Sequence, residues 1–309
     1  MRIPPPRVRR HSGRPPRRSG PDEGVTVTAP TAAPHEPIDP HEPTQTGPQA
    51  RAEQRPARTV LITGGAGGIG QGIARAFLAA GDRVILADRD AVAAAAAADA
   101  LGGEVAGDST ADAVASIALD ISDSAAVAEA FAGLAKRGGV DVLVNNAGIL
   151  SVHGAVTELD PEAYRSILEV NVIGTFGMTQ AFARHRIAAG GGGAVVNISS
   201  IGGRQPTPGM GAYESSKAAV DSVTRWAAIE LAAHGIRVNA VAPGPVLTPM
   251  LEMGMPEGSP AREAWAGRIP LGDLARVSDI APAVVFLAGS GAAHITGVSL
   301  AVDGGQLLT

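Results

Sequence analysis

From Thr59 onward the chain alternates short, continuously apolar runs with longer helical stretches, and that alternation leaves few folds open. The runs are Thr59 to Thr63, Arg83 to Ala87, Ser116 to Leu119, Val140 to Val144, Ala194 to Ile198, Arg237 to Val241 and Val298 to Val302. They do not alternate apolar with polar residues, so both faces of each strand must be covered, as in a parallel sheet. Between them lie helical stretches such as Gly72 to Leu78 and the Ala-rich Ala91 to Leu101, helical by propensity. The expected fold is a single α/β domain, doubly wound, with a mainly parallel sheet of about seven strands and helices on both faces.

Composition sets the limits of that domain. Residues 1–57 hold 13 of the 23 prolines and almost no apolar clusters. Such a segment buries too little surface to offset its ordering entropy, so we expect a disordered Pro/Arg-rich tail followed by one domain over 58–309. The tail carries nine Arg against six acidic residues, whereas the rest has a net charge of −8. An acidic folded part argues against a nucleic-acid surface. No apolar run approaches a membrane span, and there is no cysteine. We expect a cytoplasmic protein with neither nucleic acid nor membrane as partner.

The run Thr63-Gly64-Gly65-Ala66-Gly67-Gly68-Ile69-Gly70 falls between the first strand and the first helix. Gly64 permits a tight turn, and Gly68 and Gly70 allow close approach of a pyrophosphate and of the strand. The helix N-terminus beyond offers free N–H groups to phosphate. Asp88 ends the second strand, where a carboxylate accepts both ribose hydroxyls and repels a 2′-phosphate. That favours NAD. Arg89 beside it offers a partner to a 2′-phosphate, which keeps NADP in view.

Lysine is scarce: Lys136 and Lys217 are the two, and Tyr164 and Tyr213 the two tyrosines. A Tyr followed four residues later by Lys arises by chance in roughly one such chain in eighty. On a helix the pair shares a face. The ammonium of Lys217 would lower the Tyr213 phenol toward a useful acid/base range and donate to ribose hydroxyls.

These residues together resemble the short-chain dehydrogenase/reductase family, over roughly 58–305. The motifs run in the family's order: Thr63-Gly64-x-x-x-Gly68-x-Gly70, Asp120, Asn145-Asn146-Ala147-Gly148, Asn171, Ser200, Tyr213-x-x-x-Lys217, and Pro243-Gly244-Pro245-Val246-Leu247-Thr248. The resemblance implies a Rossmann fold and a nicotinamide-dependent oxidoreductase interconverting a secondary alcohol and a ketone. It makes Tyr213 the general acid/base, with Lys217 on the nicotinamide ribose. Ser200 would hydrogen-bond the substrate oxygen, its neighbour Ser199 being the less favoured choice. Asn171 would hold a water in a proton relay. Asp120 and Ile121 would contact the adenine, and Asn146, Ala147 and Gly148 would lie along the cofactor. Val246 and Thr248, from the Pro243-Gly244 turn, would anchor the carboxamide. Ile69 and Arg89 complete the expected cofactor contacts.

Three departures from the family pattern stand out. The connection from Leu101 to Leu119 is long, Glu214 follows Tyr213 where small residues are common, and Asp273 and Ala275 replace a frequent Arg and Gly. The substrate pocket should be lined by Ile149 to His153, Gly202 to Gln205 and Met210, under a lid bearing Met250, Leu251, Met253, Met255, Pro256 and Trp265. Those residues suggest a medium-sized apolar ketone or alcohol. A 3-oxoacyl-thioester reductase is the competitor within the family, and a cofactor-binding regulator without turnover the competitor outside it. No metal is expected, since His153, His185, His234 and His294 are scattered. The resemblance also implies a dimer or tetramer, through the helices bearing Asn171 and Tyr213. An Ala-rich face at Ala218, Ala219, Ala227 and Ala228 suits close packing there.

Overall fold

The computed structural model describes residues 56–104, 113–150, 152–248, 251–252 and 255–309. Nearly all of the expected tail, residues 105–112 of the long connection after Leu101, and Ser151, Met250 and Met253 lie outside the described residues.

Seven of the strands form one sheet. They are β1 (Thr59–Thr63), β2 (Arg83–Asp88), β3 (Val114–Ala118), β4 (Val142–Asn145), β5 (Gly193–Ile198), β6 (Ile236–Pro243) and, last in the chain, Ser299–Val302. Two short strands precede that last one, β7 (Val246–Leu247) and β8 (Ala275–Arg276), so it is β9. The order is β3-β2-β1-β4-β5-β6-β9, and all pairs are parallel. Every residue of β1 and β4 is buried, which explains why their sequences do not alternate.

Helices cover both faces. On one lie α1 (Gly68–Ala79) and α2 (Ala91–Glu104), joined by the helix Val277–Ala288 near the C-terminus; Phe77, Leu101, Ile280 and Val284 pack there on Val60, Ile62 and Val144. On the other lie α3 (Ser124–Ala135), α5 (Thr175–Ala188) and α6 (Gly211–Leu231), whose Phe131, Met178, Phe182 and Ala228 pack on Leu61, Leu143 and Val195. The remaining helices are α4 (Pro161–Leu168) and α7 (Pro260–Ala266), which makes Val277–Ala288 α8. Among the described residues, no helix is long and apolar enough to cross a membrane.

Three expectations change. Helix α1 begins at Gly68 rather than Gly72, because the last loop glycines form its first turn. The pair β7–β8 was not foreseen, being too short to carry a pattern. Ala228 is 2 % exposed and belongs to the protein's own core, so it is not free to face a partner. The exposed apolar residues of that region are Ile173, Ile187, Trp226 and Ile229, with Phe176 stacked on Trp226 at 5.5 Å.

The chain runs outward from β1 to β3 on one side and from β4 to β9 on the other. The order therefore reverses between β1 and β4, and the crevice beyond their carboxyl ends is where a doubly wound sheet binds its ligand.

Candidate active site

The loop after β1 is built by close backbone approach. Gly64 takes φ +61°, a conformation that L side chains rarely adopt, and a Cβ on it would sit 2.8 Å from the Ala147 Cα. A Cβ on Gly70 would run into the Gly64 carbonyl oxygen. Three side chains hold the loop. The Asn146 amide donates to the carbonyls of Thr63 (3.0 Å) and Gly64 (2.9 Å). The Thr63 hydroxyl, fully buried, accepts from the N–H groups of Asn146 (3.1 Å) and Ala147 (3.0 Å). Asp88 accepts from Ala66 N–H (3.1 Å) and Asp90 N–H (3.2 Å). It is Asp90, not Asp88, that caps α2, through Val92 and Ala93 N–H.

The loop opens on a cleft of about 1230 Å³. The expected residues Gly64, Gly68, Ile69, Asp88, Arg89, Asp120, Ile121, Asn146, Ala147, Gly148 and Thr248 all line it. Four others do not. Gly70 is buried and serves the contact of α1 with the loop. Val246 has its side chain in the core on the α8 side. Pro243 pairs with Val302, and Gly244 packs against Asp303, so both shape the turn instead. Gln71 and the first turn of α8, Val277 and Ser278, line the cleft without having been foreseen. A dinucleotide fits this arrangement. The one cleft combines a glycine cradle in which a Cβ on Gly64, Gly65 or Gly70 would collide with its surroundings, the N-terminus of α1 and a carboxylate at the rim.

Beyond Gly148 the polar side chains converge. Asn171 lies on a π-helical turn, Glu169–Gly174, of the kind that often marks functional sites. Its carbonyl oxygen accepts from Ile149 N–H (2.8 Å), and its amide donates to the Ile149 carbonyl (3.0 Å) and Ser216 Oγ (3.0 Å). Lys217 Nζ donates to the Ile198 carbonyl at 2.8 Å and stands 5.5 Å from the centre of the Tyr213 ring. A Cβ on Gly148 would lie 3.2 Å from Asn171 Oδ1 and 3.4 Å from Lys217 Nζ, so both groups reach the same point of the cleft wall. The Ser200 hydroxyl hydrogen-bonds the Tyr213 phenol and accepts from Gly202 N–H at 3.1 Å. Ser199 points away and donates to the Lys217 carbonyl (3.2 Å), which separates the two serines.

Comparison with known proteins identifies the family. A family model described as enoyl-(acyl carrier protein) reductase matches residues 64–306. The chain is similar in structure to a short-chain type dehydrogenase/reductase from Mycobacterium ulcerans, with a TM-score of 0.76 and 34% identity over 81% of this chain and 90% of that one. The chain belongs to the short-chain dehydrogenase/reductase family. It is 42% identical, over 79% of its length and 92% of the relative's, to galactitol 2-dehydrogenase (L-tagatose-forming) of Cereibacter sphaeroides. A 3-ketoacyl-(acyl-carrier-protein) reductase from Brucella melitensis complexed with NADH shares 38% identity and a TM-score of 0.70, over 81% of this chain and 98% of that one.

The electrostatics of this short-chain dehydrogenase/reductase differ from expectation at one point. Burial raises the Tyr213 phenol above its ordinary value; the Ser200 hydrogen bond lowers it and the Glu214 carboxylate raises it. The net direction is upward, against the lowering expected from Lys217, whose ammonium is directed at the Ile198 carbonyl. At the rim, Asp120 is held below its ordinary value by the Ser122 hydroxyl and then by Ser122 N–H; burial opposes them and nearby Arg89 adds to them.

Burial brings Lys217 from 10.5 down to about 8, with Asp221 opposing. Because the folded value lies below the unfolded one, this lysine's contribution to stability is full above pH 10.5 and is lost as pH falls through 8. The gap corresponds to about 3 kcal/mol. Urea unfolding should therefore show the native enzyme gaining roughly 2 to 3 kcal/mol on a Lys217→Met variant between pH 7 and pH 10. A difference that stays flat with pH would mean that the ammonium is solvated.

Proposed function

We propose that the chain is a nicotinamide-dependent dehydrogenase that interconverts a secondary alcohol and a ketone, with Ser200, Tyr213, Lys217 and Asn171 as its proton-handling group. The observation that carries this reading is that Asn171 and Lys217 meet at Gly148 on the wall of the glycine-lined cleft, with Tyr213, one helical turn before Lys217, against Ser200. Bound there, the nicotinamide supplies or accepts the hydride. Ser200 orients the substrate oxygen, and Tyr213 takes its proton in oxidation or returns one in reduction. Lys217 binds the ribose hydroxyls, and Asn171 fixes the Ile149 backbone and holds a water at the end of the relay. With the phenol raised above its ordinary value, the protonated form prevails at neutral pH, so alcohol oxidation speeds up toward alkaline pH.

The proposed substrate is a hydroxyl-rich alcohol. The resemblance to galactitol 2-dehydrogenase supports a polyol over the apolar ketone suggested by the methionine-bearing lid. In that lid, Leu251 and Trp265 pack on Leu247, Ile269 and Leu274. A 3-oxoacyl thioester is the second reading, favoured by the resemblance to the 3-ketoacyl-(acyl-carrier-protein) reductase.

NAD is the proposed cofactor. Asp88 sits at the rim beside the loop, and Arg89 has Asp120 as a charged neighbour. A cytoplasmic dimer or tetramer completes the reading. The exposed Ile173, Ile187, Trp226 and Ile229 support such an assembly, and light scattering on Trp226→Glu tests it.

A panel of polyols, simple secondary alcohols and 3-oxoacyl thioesters, run with NAD(H) and NADP(H), tests the rest. Polyol oxidation with NAD is expected, and Asp88→Ser should lower the NAD:NADP ratio of kcat/KM by about tenfold. Turnover confined to thioesters with NADPH would overturn both choices.

A further inference from the structure

The segment from Gly202 to Met210 stands beside Ser200 and spends its backbone donors internally. Gly203 N–H bonds the Ser200 carbonyl (3.1 Å), Arg204 and Gln205 N–H bond the Ile201 carbonyl (2.9 and 3.0 Å), and Met210 N–H bonds the Thr207 carbonyl (3.1 Å). Pro206 and Pro208 have no N–H to give. Thr207 is thus the single donor of that triplet, and it donates to both oxygens of the Glu214 carboxylate at 2.9 Å each. Glu214 is 6 % exposed, lies in the first turn of α6 and directly follows Tyr213. The Gly202 backbone rests on its stem: a Cβ there would sit 2.9 Å from Glu214 Cγ and 3.4 Å from Ser200 Oγ.

We infer that Glu214 is a positioning residue with two tasks: its carboxylate seats the Pro206–Pro208 loop on the head of α6, and its charge beside Tyr213 shifts upward the pH range over which that phenol exchanges a proton. The inference rests on the proposed role of Tyr213. The first task follows from hydrogen-bond accounting. Without the carboxylate, Thr207 N–H has no partner in a half-buried loop, and the loop loses its tether to the head of α6, keeping those of Arg204 to the Ser299 carbonyl and Gln205 to the Thr309 carbonyl.

The second task follows from the charges around the phenol. Lys217 approaches from the same helix, with Asp221 behind it; Asp221 is paired with Arg204 (3.4 Å) and accepts from Ser299 Oγ (2.8 Å). From the facing loop, His153 rests on Met210 Sδ (3.1 Å), and from α4 the Tyr164 hydroxyl shares a hydrogen bond with Ser215 Oγ (3.0 Å). Of the two buried carboxylates, Asp221 has a cation, while Glu214 has no salt-bridge partner among the described residues. Its charge therefore acts on the adjacent phenol unneutralised, in the direction already noted for Tyr213.

Steady-state alcohol oxidation across pH, for the native enzyme, Glu214→Gln, Glu214→Ala and Tyr213→Phe, separates the tasks. Glu214→Gln keeps an acceptor for Thr207 N–H and loses the charge. Its KM should stay within about twofold of native, while the rising limb of the kcat/KM profile moves to lower pH by about one unit. Glu214→Ala loses both functions and should also raise KM by about tenfold. A Glu214→Gln limb that coincides with the native one overturns the charge role, and a native KM in Glu214→Ala overturns the tether. If Glu214→Ala does not fold, Glu214→Gln still decides the inference, since a structural role alone leaves its profile unmoved. Undiminished activity in Tyr213→Phe would instead remove the reading beneath the inference.

Discussion

Replacing Tyr213 by phenylalanine is expected to lower kcat about a thousandfold or more while leaving nucleotide affinity within a few fold of native. The ring stays, so the packing at the head of α6 and the 5.5 Å contact with the Lys217 ammonium persist. What is lost is the hydroxyl that Ser200 hydrogen-bonds, together with the proton it would carry. Neither loss touches the residues lining the cleft, because Tyr213 is not one of them. Single-turnover hydride transfer and NADH fluorescence titration separate the two quantities. A matching fall in affinity would mean that the tyrosine binds cofactor; a kcat near native would mean that another group moves the proton.

The second large effect is expected at Gly70. An alanine there drives its Cβ into the Gly64 carbonyl oxygen, and that oxygen cannot swing aside as a flexible side chain could. The same oxygen accepts from the Asn146 amide at 2.9 Å, so displacing it strains the β1–β4 junction and the phosphate cradle together. Gly70→Ala should cost about 1 to 3 kcal/mol of stability and lower Tm by about 3 to 10 °C. NADH affinity should fall by about tenfold or more, and saturating NADH should recover only part of the lost Tm. Native NADH affinity in a destabilised variant would show that Gly70 serves packing alone.

Much of this was legible before any coordinates, for reasons that are local. Continuous apolar runs announce buried parallel strands, and all seven strands of the main sheet lie where such runs occur. Tyr213 and Lys217 share a face because both lie within one helix. What stayed hidden depends on partners distant in sequence. Nothing near Asn146 says that its amide would bind the loop more than 80 residues earlier, and nothing near Thr63 says that its hydroxyl would receive two N–H groups from the end of β4. Val246 reads as a cofactor contact, yet pairing of β7 with β8 turns its side chain into the core. Glu214 was visible as an oddity after Tyr213. Its partner is a single N–H between two prolines, and only the fold brings that N–H to the carboxylate.

The reversal of strand order between β1 and β4 also governs how the molecule comes into being. Thr59 N–H donates to the Asp141 carboxylate, 82 positions away, so the central seam of the sheet closes across a long intervening segment. Closing such a loop costs entropy before any of its contacts form, which makes this seam a slow step in folding. A nascent chain that has produced only β1, β2 and β3 has a glycine loop with no Asn146 to hold it and an open edge on β1, every residue of which is buried in the finished sheet. Cofactor binding thus cannot run ahead of folding: the strand that completes the core also completes the cradle, and both arrive with β4.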